Sequence, residues 1–383
     1  MHNFTYSIPT KIYFGKGQIC HLPELAQSGE KVLLVYGGGS IKRLGIYDTA
    51  MELLRGAGLR VYELGGVEPN PRIESVRRGV QICKAEGVDM VLAIGGGSAI
   101  DCAKVVAAGA KYAADPWDLV IDSSLIVDAL PIYSVLTLSA TGSEMDKFAV
   151  ISDLSKNEKW GTGAEALKPK MSILDPEYTY SVPPKQTSAG TADMISHILE
   201  NYFTNVPCAD PQARFCEGLL RTAIHYGPIA LAQPTNYEAR ANLMWTSSLA
   251  INGLLSDGAE VTWCVHPMEH ELSAFYDITH GEGLAILTPF WMDFALRPET
   301  QAKFAEYGRN VWGLRGEDAE VARESIRCTR EFFRSMNLPA TLHEVGIDQT
   351  HFEEMAEKAA QGSVGSYVPL SKEDIVKIYT AAL

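Results

Sequence analysis

Two short stretches of this 383-residue chain contain histidine and acidic side chains at spacings that suit a metal site. Three of the nine histidines, His266, His270 and His280, fall within fifteen residues, where an even distribution would place fewer than one. Upstream, Asp193 and His197 are four residues apart, as are His266 and His270, a spacing that places each pair on one face of a helix. Imidazole and carboxylate groups are ligands of first-row divalent metal ions. The two stretches predict a metal site, although spacing alone does not choose among the three clustered histidines.

The same histidines allow a second interpretation. The segment 266–270, His-Pro-Met-Glu-His, matches the pattern H-x-x-E-H, in which the two histidines bind zinc and Glu269 acts as the general base of a protease. However, Pro267 is typical of the first turn of a helix rather than of an uninterrupted motif helix. A protease also has no use for phosphate-binding turns of the kind described next. A zinc hydrolase therefore stands as the alternative function.

Two turns of identical sequence, Gly-Gly-Gly-Ser, follow apolar runs that are typical of buried strands. The turn at 37–40 follows the run 31–36, and the turn at 95–98 follows the run 89–94. Glycines in a strand-to-helix turn allow a phosphate group to approach the backbone and the first helical N–H groups. Neither turn has the Rossmann or the P-loop fingerprint. With a third turn at 140–143, they favour a ligand with several phosphates, and a dinucleotide is the simplest such ligand.

The residues after the first turn indicate which dinucleotide binds. Ser40, Lys42 and Arg43 supply a hydroxyl group and two cations, with no acidic residue near them in the sequence. A site selective for NAD usually places an acidic residue at the adenosine ribose. The pattern therefore favours NADP(H), with NAD(H) as the alternative.

The elements that must position these residues change in character at Pro183 and Pro184. Before these prolines, apolar runs alternate with helical patterns, which is typical of a parallel sheet covered by helices on both faces. After them, helical periodicity dominates, over 191–201, 212–230, 237–254 and 300–312. We predict a dinucleotide-binding α/β domain at 1–182 and an all-helical, metal-binding domain at 183–383.

Charge and hydropathy exclude several classes of partner. The chain has 47 acidic and 33 basic residues and a formal net charge of −14, which repels nucleic acids and anionic lipid surfaces. Its apolar runs are too short to cross a bilayer. Seven scattered cysteines without a C-x-x-C pair, and an N-terminus without a signal-peptide pattern, favour reduced thiols and a cytoplasmic location. We expect a small-molecule substrate and neither a nucleic-acid nor a membrane partner.

Several segments carry a resemblance that spans nearly the whole chain. They are Tyr-Gly-Gly-Gly-Ser at 36–40, Gly-Val-Glu-Pro-Asn-Pro at 66–71, the segments 93–101 and 136–144, the histidine block 266–281, and the N-terminal segments 7–11 and 14–17. In this order they resemble the iron-containing, metal-dependent alcohol dehydrogenases, specifically the butanol dehydrogenase-like branch. The resemblance implies a dehydroquinate synthase-like fold, with an α/β dinucleotide-binding domain, an all-α domain, and the cofactor and the metal in the cleft between them.

The resemblance also assigns roles to residues. It implies that the metal ligands are Asp193, His197, His266 and His280, and that His270 is the catalytic residue beside the nicotinamide. The cofactor-binding residues that it implies are Gly38, Gly39, Ser40, Asn70, Gly96, Gly97, Ser98, Asp101, Thr137, Leu138, Thr141 and Lys159. We expect Fe²⁺, with Zn²⁺ as the alternative metal.

The function expected from this resemblance is an NAD(P)H-dependent alcohol dehydrogenase or aldehyde reductase. Its substrates would be short-chain aldehydes and alcohols such as butanal and 1-butanol, and it would form a homodimer or a larger homo-oligomer. Within the same fold, a glycerol-type polyol dehydrogenase is the alternative.

Overall fold

The computed structural model describes residues 1–261, 263–361 and 364–383, and these form two compact units. The N-terminal unit is Ser7–Ser181, and the C-terminal unit is Val182–Leu383 together with Met1–Tyr6. The sequence assigns residues 1–6 to the first domain, whereas in the structure they lie with the C-terminal unit. There the amino group of Met1 donates to the carbonyl oxygen of Pro207 over 2.7 Å.

A six-stranded parallel sheet forms the centre of the N-terminal unit, with the strand order β1-β8-β5-β4-β2-β3. Its strands are β1 (Lys11–Phe14), β2 (Lys31–Tyr36), β3 (Arg60–Leu64), β4 (Met90–Gly95), β5 (Ile132–Leu136) and β8 (Met171–Leu174). Strands β6 (Phe148–Asp153) and β7 (Glu158–Gly163) form a separate antiparallel hairpin. Every residue of β4 and β5 is buried, as expected for central parallel strands, whose sequences are nearly continuous apolar runs.

Five α-helices belong to the N-terminal unit: α1 (Ser40–Arg43), α2 (Ile46–Gly56), α3 (Ile73–Glu86), α4 (Gly97–Gly109) and α5 (Trp117–Ile121). Strand β2 pairs with β3 on one side and with β4 on the other, so the direction in which strands are added reverses at β2. Ligands of such sheets bind beyond the carboxyl ends of the strands at this reversal. The two Gly-Gly-Gly-Ser turns follow β2 and β4 and therefore flank it.

The C-terminal unit is helical. Its helices are α6 (Pro184–Tyr202), α7 (Asp210–Ala232), α8 (Tyr237–Leu249), α9 (Val265–Tyr276), α10 (His280–Ala295), α11 (Gln301–Trp312), α12 (Asp318–Ser335), α13 (Phe352–Ala359) and α14 (Lys372–Ala381). The predicted fold class, an α/β half followed by a helical half, is confirmed. Helix α6 starts seven residues before its predicted start, because Pro184 occupies the first turn, where a missing N–H costs nothing. Helix α8 ends five residues early, and the turn that follows includes Gly253 with a φ of 99°.

Within the described residues, no helix combines the length and the apolar character that a membrane crossing requires. All seven cysteines are free thiols.

Candidate metal centre and cofactor-binding turns

Helix α6 positions Asp193 and His197 inside the C-terminal unit. The helix is buried at every residue from Thr187 to Tyr202, so both side chains are held among packed neighbours. As the i, i+4 spacing predicts, the two side chains meet, with 3.5 Å between Oδ1 of Asp193 and Nδ1 of His197.

Two other helices bring the remaining predicted ligands to the same oxygen. His266 is the second residue of α9, and His280 is the first residue of α10. The Nε2 atoms of His266 and His280 each lie 3.7 Å from Oδ1 of Asp193. The His197 and His266 rings are stacked with their centroids 4.4 Å apart. The ligand atoms of Asp193, His266 and His280 therefore all lie within 4.8 Å of one another, and Nδ1 of His197 lies beside the same Asp193 oxygen.

The contacts of these atoms suit a metal ion better than a hydrogen-bond network. Asp193 Oδ1, His197 Nδ1 and His266 Nε2 are buried and have no hydrogen-bond partner among the described residues. Buried polar atoms without a partner are costly and call for an explanation. Four donors at about 2.1 Å from a tetrahedral ion would lie roughly 3.4 Å from one another. The three separations between Asp193 Oδ1 and a histidine nitrogen, 3.5–3.7 Å, are close to this value, so these contacts fit a divalent ion.

The environment of the cluster shifts the pKa values of its members in different directions. Burial lowers the pKa of His197 to about 3, with the neighbouring His266 and His280 adding to the shift, so His197 stays neutral. Burial also opposes a charge on Asp193, but the three histidines together hold its pKa well below the ordinary range. Burial lowers the pKa of His266, but the charges of Glu200 and Asp193 and the hydrogen bonds to them outweigh burial and raise it to about 9, so a metal ion that binds His266 displaces a proton from it.

Two buried carboxylates contact the outer nitrogens of two of these histidines. Glu200, on α6, accepts from Nδ1 of His266 and from the backbone N–H groups of Cys264, Val265 and His266, at 2.5, 3.1 and 3.1 Å. Glu200 lies seven residues after Asp193, on the same helix face. This spacing was the available signal, but the sequence analysis missed it.

Glu269 makes the second contact of this kind. It lies on α9, is fully buried, and accepts from Nδ1 of His280 and from Oγ of Ser273. The hydrolase alternative requires Glu269 to activate a water molecule. The observed contacts turn its carboxylate away from solvent, and we therefore do not retain that alternative.

His270 and Trp263 lie beside the cluster. The ring of His270 is 5.7 Å from that of His280 and 6.3 Å from that of His266, and it is partly exposed. Trp263, which the sequence analysis did not single out, packs edge-on against His197 and His266, with centroids 5.8 and 5.1 Å away. His270 thus lies next to His266 and His280, and its ligand atom lies within 4.8 Å of those of Glu269 and His280.

In the N-terminal unit, the first glycine turn is open to solvent. Gly39 has a φ of 93°, a left-handed conformation that suits glycine. A Cβ at Gly38 or at Gly39 would meet nothing within 4 Å, and Ser40 is exposed. The turn thus presents bare backbone, as close approach of a phosphate group requires.

The second turn is packed against the segment after β5. A Cβ at Gly97 would lie 2.4 Å from Oγ1 of Thr141, and one at Gly96 would lie 3.2 Å from Cβ of Leu138. The backbone N–H of Thr137 donates to the carbonyl oxygen of Gly95 over 2.9 Å. The structure therefore brings Thr137, Leu138 and Thr141 beside this turn. Ser98 follows it at the start of α4 and is partly exposed.

Asp101 is directed inward. Its carboxylate accepts from Oγ of Ser143 over 2.6 Å and from the backbone N–H of Val150 over 2.9 Å. Burial raises its pKa to about 6, although the nearby Lys104 and the hydrogen bond from Ser143 oppose the shift. The first contact supports the turn that carries Thr141, and the second holds strand β6. The role of Asp101 in binding the pyrophosphate stays a prediction.

Asn70 and Lys159 lie on neighbouring segments. Asn70 has a φ of 52°, a left-handed conformation that asparagine tolerates. The backbone N–H of Ser152 donates to the carbonyl oxygen of Pro71, the residue after Asn70, over 2.9 Å. Lys159 is paired with Ser152 across the β6–β7 hairpin and is buried.

The surroundings of Lys42 correct one expectation. The sequence shows no acidic residue near the first turn, but the fold brings Glu63 from β3 to within 3.9 Å of the Lys42 ammonium group. Glu63 also accepts from the hydroxyl groups of Tyr36 and Tyr47, each over 2.8 Å. Glu63 is 21 positions from Lys42 in the sequence, and only the pairing of β2 with β3 makes them neighbours.

Two family models match the chain. The model described as iron-containing alcohol dehydrogenase matches residues 9–176, and the one described as Fe-containing alcohol dehydrogenase family, C-terminal, matches residues 187–383.

Individual proteins match over nearly their full length. The chain is 56% identical to NADH-dependent butanol dehydrogenase A of Clostridium acetobutylicum, over 99% of each chain. It is 39% identical to the NADPH-dependent aldehyde reductase YqhD of Escherichia coli, over 94% of this chain and 93% of that one. The crystal structure of NADH-dependent butanol dehydrogenase A from Thermotoga maritima superimposes with a TM-score of 0.95 at 39% identity, covering 100% of this chain and 99% of that one.

Proposed function

The chain belongs to the iron-containing alcohol dehydrogenase family and is a metal-dependent, nicotinamide-dependent alcohol dehydrogenase and aldehyde reductase; we propose that it reduces short-chain aldehydes such as butanal with NADH. The butanol dehydrogenase of Clostridium acetobutylicum has the highest identity, 56%, among the relatives named above. In the reverse direction, the same site would oxidise 1-butanol.

One observation supports this proposal above the others. One nitrogen each of His197, His266 and His280 lies 3.5–3.7 Å from Oδ1 of Asp193, and three of these four donor atoms are buried without a hydrogen-bond partner among the described residues. We propose these four as the metal ligands. One carboxylate and three neutral imidazoles would leave a divalent ion with a net positive charge, as a Lewis acid needs.

The reaction would use a bound metal ion and a bound nicotinamide together with side chains of the protein itself. When bound, a divalent metal ion polarises the carbonyl oxygen of an aldehyde, and a reduced nicotinamide supplies the hydride. His270 is our candidate for supplying the proton that the alcohol product gains, because its partly exposed ring lies beside that of His280. Trp263 covers the rings of His197 and His266 and limits the access of water to them.

We propose that the cofactor lies along the ends of β2, β4 and β5. The bare backbone at Gly38, Gly39 and Ser40 would receive the adenosine ribose end. Gly96, Gly97 and Ser98 would receive the pyrophosphate at the first N–H groups of α4, which is thirteen residues long. Thr137, Leu138 and Thr141 would follow along the cofactor, with Asn70 and Lys159 on the neighbouring hairpin and loop.

The preference for NADH revises the expectation from the sequence. Lys42 on its own would favour the 2′-phosphate of NADPH. The negative charge of Glu63 offsets the positive charge of Lys42 and would repel that phosphate. The relative with 56% identity is named as NADH-dependent, whereas the NADPH-dependent one is 39% identical.

Iron is the metal that the family description names. The nitrogen and oxygen donors also suit Zn²⁺, and no thiolate is part of the proposed set.

The test uses purified full-length protein loaded with Fe²⁺ or with Zn²⁺. We expect butanal to cause loss of NADH absorbance, more efficiently than glycerol supports the reverse reaction. His197→Ala should lose bound metal and activity together. If the wild-type protein carries metal but reduces no aldehyde with either cofactor, the proposed function is wrong. If His197→Ala keeps stoichiometric metal, the proposed ligand set is wrong.

We also propose that the protein forms homo-oligomers and works in the cytoplasm. The free state of all seven cysteines supports a reducing compartment. Light scattering of the purified protein and fractionation of expressing cells test these two statements.

A further inference from the structure

Two buried carboxylates, Glu200 and Glu269, have no place in the reaction as proposed above. Neither belongs to the four proposed metal ligands. Each instead contacts the ring nitrogen of a histidine on the side away from Asp193. A histidine that binds a metal through Nε2 needs its proton on Nδ1, and the acceptor at Nδ1 decides both this tautomer and the orientation of the ring.

Glu200 also contacts the start of α9, so a substitution of Glu200 does not report on His266 alone. Besides the Nδ1 atom of His266, it accepts three backbone N–H groups at the start of α9, which the helix itself leaves without partners. Replacement of Glu200 would disturb the start of α9 as well as the ring of His266. Variants of Glu200 therefore cannot distinguish a loss of ligand positioning from a loss of folding.

Glu269 offers the cleaner case. Its carboxylate accepts from Nδ1 of His280 on one side and from Oγ of Ser273, one turn along the same helix, on the other. A Cβ at Gly283 would lie 2.7 Å from Cγ of Glu269, so the first turn of α10 also restricts where this side chain can go. Its position is fixed from two helices.

We propose that Glu269 is a positioning residue for the metal ligand His280: its carboxylate holds the proton on Nδ1 and turns Nε2 toward Asp193. This inference rests on the proposed function only in taking His280 as a ligand. His280 needs such a contact more than the other ligands do, because it is the most exposed of the four, with 23% of its side chain accessible.

The two carboxylates also connect the helices in sequence. Helix α6 carries two ligands and Glu200, which contacts the ligand on α9. Helix α9 carries the ligand His266 and, three residues later, Glu269, which contacts the ligand on α10. Each helix thus orients the ligand of the next one. Loss of Glu269 should release only the last of them, His280, and leave Asp193, His197 and His266 in place.

The experiment measures metal binding directly. Full-length metal-free protein is titrated with Co²⁺ or Zn²⁺ in competition with a chromophoric chelator, for the wild type, Glu269→Gln, Glu269→Ala and Ser273→Ala. The Kd of Glu269→Ala should rise about 10- to 100-fold, the usual range for loss of an outer contact to a ligand. Glu269→Gln should weaken binding less, since its amide oxygen still accepts the proton on Nδ1 but carries no charge. Ser273→Ala removes one of the contacts that hold Glu269 but keeps its carboxylate, so it should weaken binding less than Glu269→Ala.

A second readout reports the tautomer. The ring nitrogen NMR shifts of His280 in the metal-free protein should indicate a proton on Nδ1 in the wild type and a mixture of tautomers in Glu269→Ala. Unchanged metal affinity in Glu269→Ala, or an equal loss in Ser273→Ala, would overturn the proposal. If the alanine variant does not fold, Glu269→Gln decides: weaker binding supports the positioning role, and wild-type affinity contradicts it.

These outcomes are separate from those of the proposed function. A wild-type protein that binds metal but reduces no aldehyde would remove the proposed function and leave the role of Glu269 testable by the same titration. Normal reduction by the wild type, with undiminished metal binding in Glu269→Ala, would remove the positioning role alone.

Discussion

Gly281, the residue after His280, lies so close to Ala189 on α6 that a Cβ at Gly281 would be 2.0 Å from the Ala189 carbonyl oxygen. Ala189 is one helical turn before Asp193. The backbone of α10 therefore touches the backbone of α6 directly beside two of the proposed ligands, His280 and Asp193. The absence of a side chain at Gly281 sets the separation of His280 from Asp193.

Gly281→Ala should therefore weaken both folding and metal binding. A methyl group cannot enter without moving α10 away from α6, at a cost of about 1–3 kcal/mol for an overpacked core. Because His280 moves with α10, we expect substoichiometric metal and a lower Tm, measured by elemental analysis and by calorimetry.

Gly218→Ala provides the matched control for this variant. Gly218 lies in the middle of α7, and a Cβ there would meet nothing within 4 Å. Alanine favours a helix over glycine by up to about 1 kcal/mol, so this variant should be slightly more stable and keep its metal. Full metal content in Gly281→Ala would show that the close approach to Ala189 does not position His280.

Gly38→Ala should weaken cofactor binding without weakening the fold. A Cβ at Gly38 has no neighbour within 4 Å, so the free protein accommodates it. If the adenosine ribose end of the cofactor approaches this backbone, the added methyl group will lie in its way. We expect a higher KM for NADH with unchanged Tm and unchanged metal content.

Gly56→Ala is the control in the same unit, because Gly56 also has open space around it but lies at the end of α2. It should leave the KM unchanged. A normal KM for NADH in Gly38→Ala would place the cofactor elsewhere.

Local patterns in the sequence predict the parts of the site that lie on one element. The i, i+4 spacing of Asp193 and His197 predicts that they meet, and they do, because one helix carries both. The strand-to-helix position of the glycine turns likewise follows from runs of adjacent residues. The choice of His266 and His280 over His270 came from the family resemblance, since periodicity contains no information about which helix ends converge.

The residues that the sequence analysis missed act across elements. Glu63 reaches Lys42 only because β3 pairs with β2, and Glu269 reaches His280 only because α9 and α10 pack at their first turns. The family resemblance implied that Asp101 binds the cofactor. Its inward contacts with Ser143 and Val150 depend on how the segment after β5 returns over α4. Strand order and helix packing are properties of the whole chain, and no local pattern encodes them.

Glu63→Gln should shift the cofactor preference toward NADPH. The change removes the negative charge beside Lys42 and keeps one oxygen that accepts from Tyr36 or Tyr47, while the amide N–H group can donate to the other hydroxyl group. A 2′-phosphate would then meet an uncompensated cation. We expect the ratio of kcat/KM for NADPH to that for NADH to rise several-fold, since an exposed charge pair contributes up to about 1 kcal/mol.

Lys42→Ala is the opposite change and should lower the same ratio. The double variant separates the two residues: if Glu63 acts through Lys42, removing Glu63 has no further effect once Lys42 is gone. Equal ratios in all four proteins would show that this pair lies away from the ribose.

The stability of the N-terminal unit should rise as the pH falls from 7 toward 5, in part through Asp101. Burial raises the pKa of this carboxyl to about 6, above its ordinary value, so the folded state binds a proton that the unfolded state does not bind in this range. For an acid whose pKa is raised by folding, the stabilising contribution is complete below the unfolded pKa and is lost as the pH rises through the folded pKa. The slope is at most about 1.4 kcal/mol for each pH unit.

Asp101→Asn cannot titrate, so the Tm of the wild type minus that of the variant should increase on acidification. Lys104 and Asp146, the charged groups that face Asp101, are present in both proteins, and their own titration largely cancels in this difference. Calorimetry of the two metal-free proteins at a series of pH values measures it. A difference that is flat, or that shrinks on acidification, would mean that Asp101 is ionised throughout and that Lys104 and its hydrogen-bond donors outweigh its burial.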